Sequence, residues 1–289
     1  MIGLTKRTRL EFNMADRREL AANGRVAHMS LQGKVKADRF VIGEWASVIS
    51  PLADILDAPA GRRERQAVYG ERFEVLERRG GFAFGRAGRD GYVGYIADIS
   101  LGPDMLPTHW VAAPATHLYS APDIKQPEVA ALTMGARLAV VADVDARFVK
   151  TNTGHFALRR HLRAMGDWAH DAVDVAMGFL GTPYLWGGNS RSGLDCSGLV
   201  QASHLACGIS CPGDSDQQQA KLGSELAATA VLARGDLLFW GGHVAMCVDG
   251  RTLIHAAGHF MAVVTEDIDP CIARILSETG ELVTMRRRL

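Results

Sequence analysis

The stretch Thr182-Pro183-Tyr184-Leu185-Trp186-Gly187-Gly188, followed after a short polar loop by Asp195-Cys196-Ser197-Gly198-Leu199-Val200, decides how the rest of the chain is read. Glycines at 187, 188 and 193 precede the cysteine, and Leu199, Val200, Ala202, Leu205 and Ala206 follow it at helical spacing. Cys196 is therefore predicted to open a helix. The first amides of a helix lack intrahelical partners and the helix dipole is positive there, so an anion such as a thiolate is stabilised. A lowered thiol pKa is the expectation.

A nucleophilic cysteine needs a base, and the base needs a group that orients it. Downstream, Arg234-Gly235-Asp236 reads as a turn before Leu237-Leu238-Phe239-Trp240, and Gly241-Gly242 leads into His243-Val244-Ala245-Met246-Cys247-Val248. Thr252-Leu253-Ile254-His255-Ala256 follows across an Asp249-Gly250 hairpin signal. His243 and His255 are thus predicted on neighbouring antiparallel strands, the first facing Cys196 and the second holding it. Cys207, Cys211, Cys247 and Cys271 read as small buried hydrophobes. Asp167 is predicted to cap a helix from Trp168 to about Leu180 that leads into Tyr184.

Upstream of that helix a β-rich pattern appears twice. Val48-Ile-Ser-Pro51-Leu-Ala-Asp-Ile55-Leu-Asp-Ala58-Pro59 aligns without a gap on Val111-Ala-Ala-Pro114-Ala-Thr-His-Leu118-Tyr-Ser-Ala121-Pro122. Phe73-Glu-Val75-Leu76 then matches Leu138-Ala-Val140-Val141, and Gly91-Tyr92-Val93 matches Gly154-His155-Phe156. Two copies of one β unit of about 60 residues is the economical reading. Residues 1–43 give mixed signals, with a short helix predicted over Ala15–Ala22.

The Pro-Tyr-x-Trp-Gly-Gly, Asp-Cys-Ser-Gly, Arg-Gly-Asp-Leu, His-Val and Ile-His-Ala segments resemble the NlpC-type papain-like cysteine peptidases, which cut bacterial cell-wall peptides. The likeness covers roughly the last 120 residues with its motifs in order. The resemblance implies Cys196 as nucleophile, His243 as base, His255 as the third polar residue and Tyr184 beside the oxyanion site. It implies that Asp195 and Ser197 bind the N-terminal side of the substrate, with Trp186 also in contact. The repeated β units resemble bacterial SH3-like barrels. The implied fold is α+β, with residues 44–106 and 107–165 as two small SH3-like barrels before a papain-like cysteine peptidase domain over 166–289.

In members with two barrels and a cytosolic role, a glutamate and a tyrosine of the first barrel bind the free α-amine of the substrate. Glu71 and Tyr92 are the candidates, because the second copy has Ala136 and His155 there, and Tyr95 is the fallback. The implied reaction is hydrolysis of the γ-D-glutamyl-L-diamino acid bond of a murein peptide with a free N-terminal L-alanine, without a cofactor or metal, in peptidoglycan recycling. Diaminopimelate and lysine stay open as the diamino acid, as does the oligomeric state. An amidase or acyltransferase of the same fold, or a peptidoglycan-binding module, are the alternatives. Family members commonly carry an arginine where this chain has Gly213, so that contact is in doubt, and Asp214 and Ser215 read as helix caps.

Composition fits this picture. Nearly half of the 289 residues are apolar, enough for more than one core. Thirty-two Lys+Arg balance thirty-two Asp+Glu, so neither nucleic acid nor a membrane surface is implied as a partner. Lys6, Arg7 and Arg9 have no apolar run behind them, and five scattered cysteines suit a reducing compartment; a cytoplasmic location is the expectation.

Overall fold

Alternating strands and glycine turns dictate a β-rich first half, and the duplication governs how its strands are arranged. A computed structural model describes residues 16–289. After β1 (Val26–His28) and β2 (Arg39–Val41), seven strands follow: β3 (Glu44–Val48), β4 (Leu52–Leu56), β5 (Arg63–Val68), β6 (Arg72–Arg79), β7 (Phe82–Ala87), β8 (Val93–Ala97) and β9 (Leu101–Pro103). They pair antiparallel in the order β5-β4-β8-β7-β6-β3-β9.

The second copy comprises β10 (His109–Val111), β11 (Ala115–Tyr119), β12 (Glu128–Thr133), β13 (Arg137–Leu138), β14 (Val140–Asp143), β15 (Phe148–Thr151), β16 (Phe156–Leu158) and β17 (Leu162–Ala164). Its strands form two sheets, β12-β11-β16-β15-β14 and β13-β10-β17. Taken together, β13 and β14 are the counterpart of β6, and the two orders then agree strand for strand. A single-turn 3-10 helix precedes the last strand in both copies, at Asp98–Ser100 and Arg159–His161. Strand β6 bends through a bulge between Val75 and Glu77, whereas its counterpart breaks outright.

One expectation is corrected here. Both orders have free ends, so the described strands form open sheets rather than closed barrels. The edge strand β5 pairs with the C-terminal half instead of closing its own sheet. The Gln66 amide donates to Asn189 Oδ1 and the Asn189 amide to Gln66 Oε1, both at 3.3 Å. An edge that would otherwise expose unpaired backbone is thereby covered.

The helix predicted over Ala15–Ala22 is also corrected, although Ala15 lies outside the described residues. Residues 17–19 form a turn and Ala22 a bridge to Ala27, because the Asp16 carboxylate accepts from the Arg18 amide at 2.9 Å and competes with helical pairing. Val26 and Ala21 then pack on Leu76, Phe84 and Val93 of the first sheet.

The C-terminal half contains α1 (Ala172–Met177), the short strands β18 (Asn189–Ser190) and β19 (Gly193–Leu194), α2 (Cys196–Ala206) and α3 (Ser215–Lys221). Next come β20 (Ser224–Glu225), β21 (Leu237–Trp240), β22 (His243–Cys247), β23 (Thr252–Ala257), β24 (Ala262–Asp267), α4 (Ile268–Thr279) and β25 (Met285–Arg288). Six of the strands pair as β20-β25-β21-β22-β23-β24. Helices α1 and α2 bury Phe179, Leu194, Leu199 and Val200 against Phe239, Val244 and Ile254 of this sheet. Among the described residues no helix is long and apolar enough to cross a membrane.

Helix α1 starts later than predicted. Asp171, not Asp167, is its cap, accepting from the Val173 amide at 2.7 Å. Residues 168 and 169 are drawn into tertiary contacts instead. Trp168 packs on Trp110 with ring centroids 5.7 Å apart, and the Ala169 amide bonds to the Ala206 carbonyl.

Candidate active site

Helix α2 begins at Cys196, as its apolar spacing requires, with Asp195 as the cap. The Asp195 carboxylate accepts from the Gly198 amide at 2.6 Å and the Gly187 amide at 2.9 Å. Gly198 is obligatory, since a Cβ there would meet the Gly188 carbonyl oxygen at 2.3 Å. Gly187 adopts φ +70° and faces the Glu64 carbonyl, which draws the Tyr184–Gly188 loop against the first β unit.

Cys196 Sγ lies 3.9 Å from the Gly242 carbonyl and near the Val244 amide, the two groups flanking His243 in the chain. The expectation of a lowered thiol pKa is overturned: burial, followed by the negative charge of Asp195, pushes the Cys196 thiol up to about 12. The helix terminus does not offset the loss of hydration. Burial also pulls His243 down to about 3, with the neighbouring His255 the next cause. Burial thus favours the neutral form of both groups, the thiol of Cys196 and the imidazole of His243.

His243 and His255 meet as the hairpin predicts. In the β22–β23 register Met246 faces Ile254, which puts both imidazoles on one face, and His243 Nε2 lies 2.9 Å from His255 Nδ1. His255 Nε2 in turn lies 2.8 Å from Glu266 Oε2 on β24, and Arg274 of α4 donates to that same oxygen at 2.6 Å. Cys271, His255 and Glu266 bring three metal-ligand atoms within 4.8 Å of one another. The Arg274 guanidinium, also 3.8 Å from Cys271 Sγ, opposes a cation there.

A cleft of about 270 Å³ opens beside Cys196. It is lined by Tyr184, Trp186, Asp195 and Ser197, and by Tyr92 of the first β unit. Burial and the adjacent Cys196 raise the Tyr184 phenol to about 12, and Trp186 is 68% exposed. Tyr92 donates to Asp214 Oδ2 at 3.0 Å, and burial raises its pKa.

Glu71 is not in this cleft, and that expectation is corrected. Its carboxylate accepts from Arg89 at 2.9 Å and from the Val68 amide at 3.0 Å, and it lines a separate cavity of about 260 Å³ with Trp110 and Trp168. The fallback Tyr95 also lies elsewhere, packed on Phe84 with centroids 5.0 Å apart. Glu64 stands in the cleft instead, beside Arg17 at 2.9 Å.

Arg65 is the other residue the sequence reading missed. It is fully buried and donates to Asp195 at 2.6 Å and to Ser197 Oγ at 2.9 Å, and its Nε lies 3.0 Å from Asp214. Asp214 precedes α3 but makes no side-chain capping bond; its carboxylate binds Arg18, Arg65 and Tyr92. A Cβ at Gly213 would stand 3.2 Å from the Arg65 side chain and 3.1 Å from Tyr92. Arg65 and Tyr92 of the first β unit thus close directly on the backbone at position 213. The signal was present: Arg63-Glu64-Arg65-Gln66 is a charged run in a strand whose counterpart in the second copy is largely apolar.

Comparison with known proteins agrees with this geometry. Residues 181–271 match the NlpC/P60 family, and residues 55–101 match the bacterial dipeptidyl-peptidase Sh3 domain. The chain is 29% identical over 218 residues to a gamma-D-glutamyl-L-lysine dipeptidyl-peptidase of Bacillus subtilis, covering 67% of this chain and 72% of that protein. A protein of the same name from Bacillus cereus is 26% identical over 229 residues, 68% of either chain. The crystal structure of an NlpC/P60 family protein from Bacillus cereus shares the fold, with a TM-score of 0.69 at 21% identity over 85% of this chain and 99% of that one. This chain carries an NlpC/P60 peptidase domain of papain-like fold behind a bacterial dipeptidyl-peptidase SH3 domain, and it is a hydrolase of that peptidase family.

Proposed function

We propose that the enzyme cuts the γ-D-glutamyl-L-diamino acid bond of murein peptides that begin with a free L-alanine, and that it does so in cytoplasmic recycling of wall fragments. One observation carries this reading: beside Cys196 the cleft is lined by four carboxylates, Glu64, Asp195, Asp214 and Asp216, against two guanidiniums, Arg18 and Arg65. Arg17 also reaches Glu64, and the carboxylates still outnumber the guanidiniums, which suits a substrate ammonium at the end closed by the first β unit. Relatives named gamma-D-glutamyl-L-lysine dipeptidyl-peptidases favour the same bond. In this reading residues 44–106 and 107–165 are two SH3-like units and 166–289 the catalytic domain, and Tyr92 and Glu64 hold the α-amine. Asp195 and Ser197 act by fixing Arg65, since their oxygens are already engaged.

Cys196 Sγ attacks the γ-carbonyl and its proton passes to the His243 imidazole in the same step, because the separated ion pair is disfavoured in this buried setting. The α2 amides and the Tyr184 hydroxyl stabilise the oxyanion. The imidazolium protonates the leaving amine, and water then releases the acyl group. The test is dipeptide release from L-Ala-γ-D-Glu-L-Lys and its diaminopimelate analogue, compared with N-acetylated forms, using Cys196→Ala as control. Release from free-amine peptides alone supports the proposal. Equal cleavage of the acetylated forms sinks the free-amine reading, and release by Cys196→Ala sinks the nucleophile.

A further inference from the structure

Three adjacent strands carry one line of polar side chains. His243 on β22, His255 on β23 and Glu266 on β24 lie on a single face of the sheet. His255 is opposite Val264 and Leu253 opposite Glu266, so Glu266 is the diagonal neighbour of His255 on that face. Each contact fixes the next proton. Glu266, paired with Arg274 through both carboxylate oxygens at 3.2 and 2.6 Å, is an acceptor only. It requires the proton of His255 on Nε2, 2.8 Å away. The His255 Nδ1 is then an acceptor and requires the proton of His243 on Nε2, 2.9 Å away. That leaves Nδ1 of His243 bare, the form able to take a proton from Cys196.

Resting on the proposed roles of Cys196, His243 and His255, we propose that Glu266 is a positioning residue that sets the tautomer of both imidazoles through this relay. The structure supplies the reason it is needed. His255 is 1% exposed, so no solvent competes to choose its proton, and without Glu266 the ring is free to donate from Nδ1 to His243. His243 would then carry its proton on Nδ1 and cease to be a base toward sulfur. Arg274 is part of the device: its helix brings the guanidinium to Glu266, and it also lies over the Phe260 ring at 5.3 Å.

The experiment compares full-length wild type, Glu266→Ala and Glu266→Gln. Imidazole nitrogen NMR of the free proteins reads the tautomers, and steady-state kinetics on the tripeptide reads turnover. Glu266→Ala is expected to convert both rings to mixed or Nδ1–H forms and to lower kcat by about 10–100-fold, the usual cost of losing an orienting partner, with KM within about twofold. Glu266→Gln keeps an acceptor oxygen, so it is expected to retain the wild-type tautomers and most of kcat. Unchanged tautomers in Glu266→Ala overturn the inference, as does an equal kcat loss in both variants with wild-type spectra. The spectra need no substrate. A failure of the proposed substrate, or hydrolysis by Cys196→Ala, is thus seen separately from a failure of the relay.

Discussion

The two copies of the β unit share a strand order and differ in what they turn toward the peptidase. In the first, Ile55 on β4 faces Arg65 on β5; in the second, the aligned Leu118 packs across β12 beside Ala130. Gln66, which bonds to Asn189, has Ala131 as its counterpart, and Tyr92, which reaches Asp214, has His155. The turn before that last pair is the same in both copies, with Gly91 at φ +78° and Gly154 at +83°. One copy has become a wall of the cleft, while the other packs Val111, Leu118, Leu132 and Val149 with Val68 and Tyr69 of the first and meets the C-terminal half away from the cleft, through Trp110 on Trp168. Duplication kept the backbone solution, and a few substitutions on one face divided the labour.

The largest break in this contrast is expected at Arg65. Arg65→Ala leaves Asp195 buried without its partner and should cost roughly 3–5 kcal/mol of stability, read by thermal or chemical denaturation. Arg159→Ala in the second copy removes an ion pair to Asp143 in which both side chains are well exposed, and should change stability by about 1 kcal/mol or less. Equal effects would erase the distinction between the copies.

Glu64→Gln comes next. Losing a charge-assisted bond to the substrate amine should reduce kcat/KM on free-amine peptides by the equivalent of about 1.5–3 kcal/mol, with little change on N-acetylated ones. The pH response of Cys196 is of similar size. Because its thiol is pushed up to about 12, the thiolate fraction, and with it the rate of alkylation by iodoacetamide, should rise about tenfold per pH unit from 6 to 9 without a plateau. A plateau below pH 7 would indicate a preformed ion pair.

Tyr92→Phe removes one hydroxyl that Asp214 accepts from, and about 0.5–1.5 kcal/mol in kcat/KM is expected. His155→Ala at the matching position of the second copy should leave kcat/KM unchanged. A comparable loss there would give the second copy a part in the cleft.

Local pattern sufficed for several elements because their determinants are close in the chain. The start of α2 follows from the glycines before Cys196 and the apolar helical stripe after it, and the pairing of His243 with His255 follows from one hairpin turn. The duplication was legible because the two copies align without gaps over their first strands. Where a side chain found its partner far along the sequence, the pattern misled. Asp167 gave up its capping role to Asp171 once Trp168 packed on Trp110, and Asp214 lost its own to Arg18 and Arg65.

The sequence alone settled which residue opens the critical helix, which histidines share a sheet face and that one β unit occurs twice, since each depends on periodicity and turns within a few dozen residues. Only the tertiary structure decided that Glu64 rather than Glu71 enters the cleft, that Arg65 crosses from the first β unit to Asp195 and Asp214, and that burial outweighs the helix terminus at the Cys196 thiol. Those outcomes depend on burial and on charges brought together from opposite ends of the chain, and neither quantity exists before the domains dock.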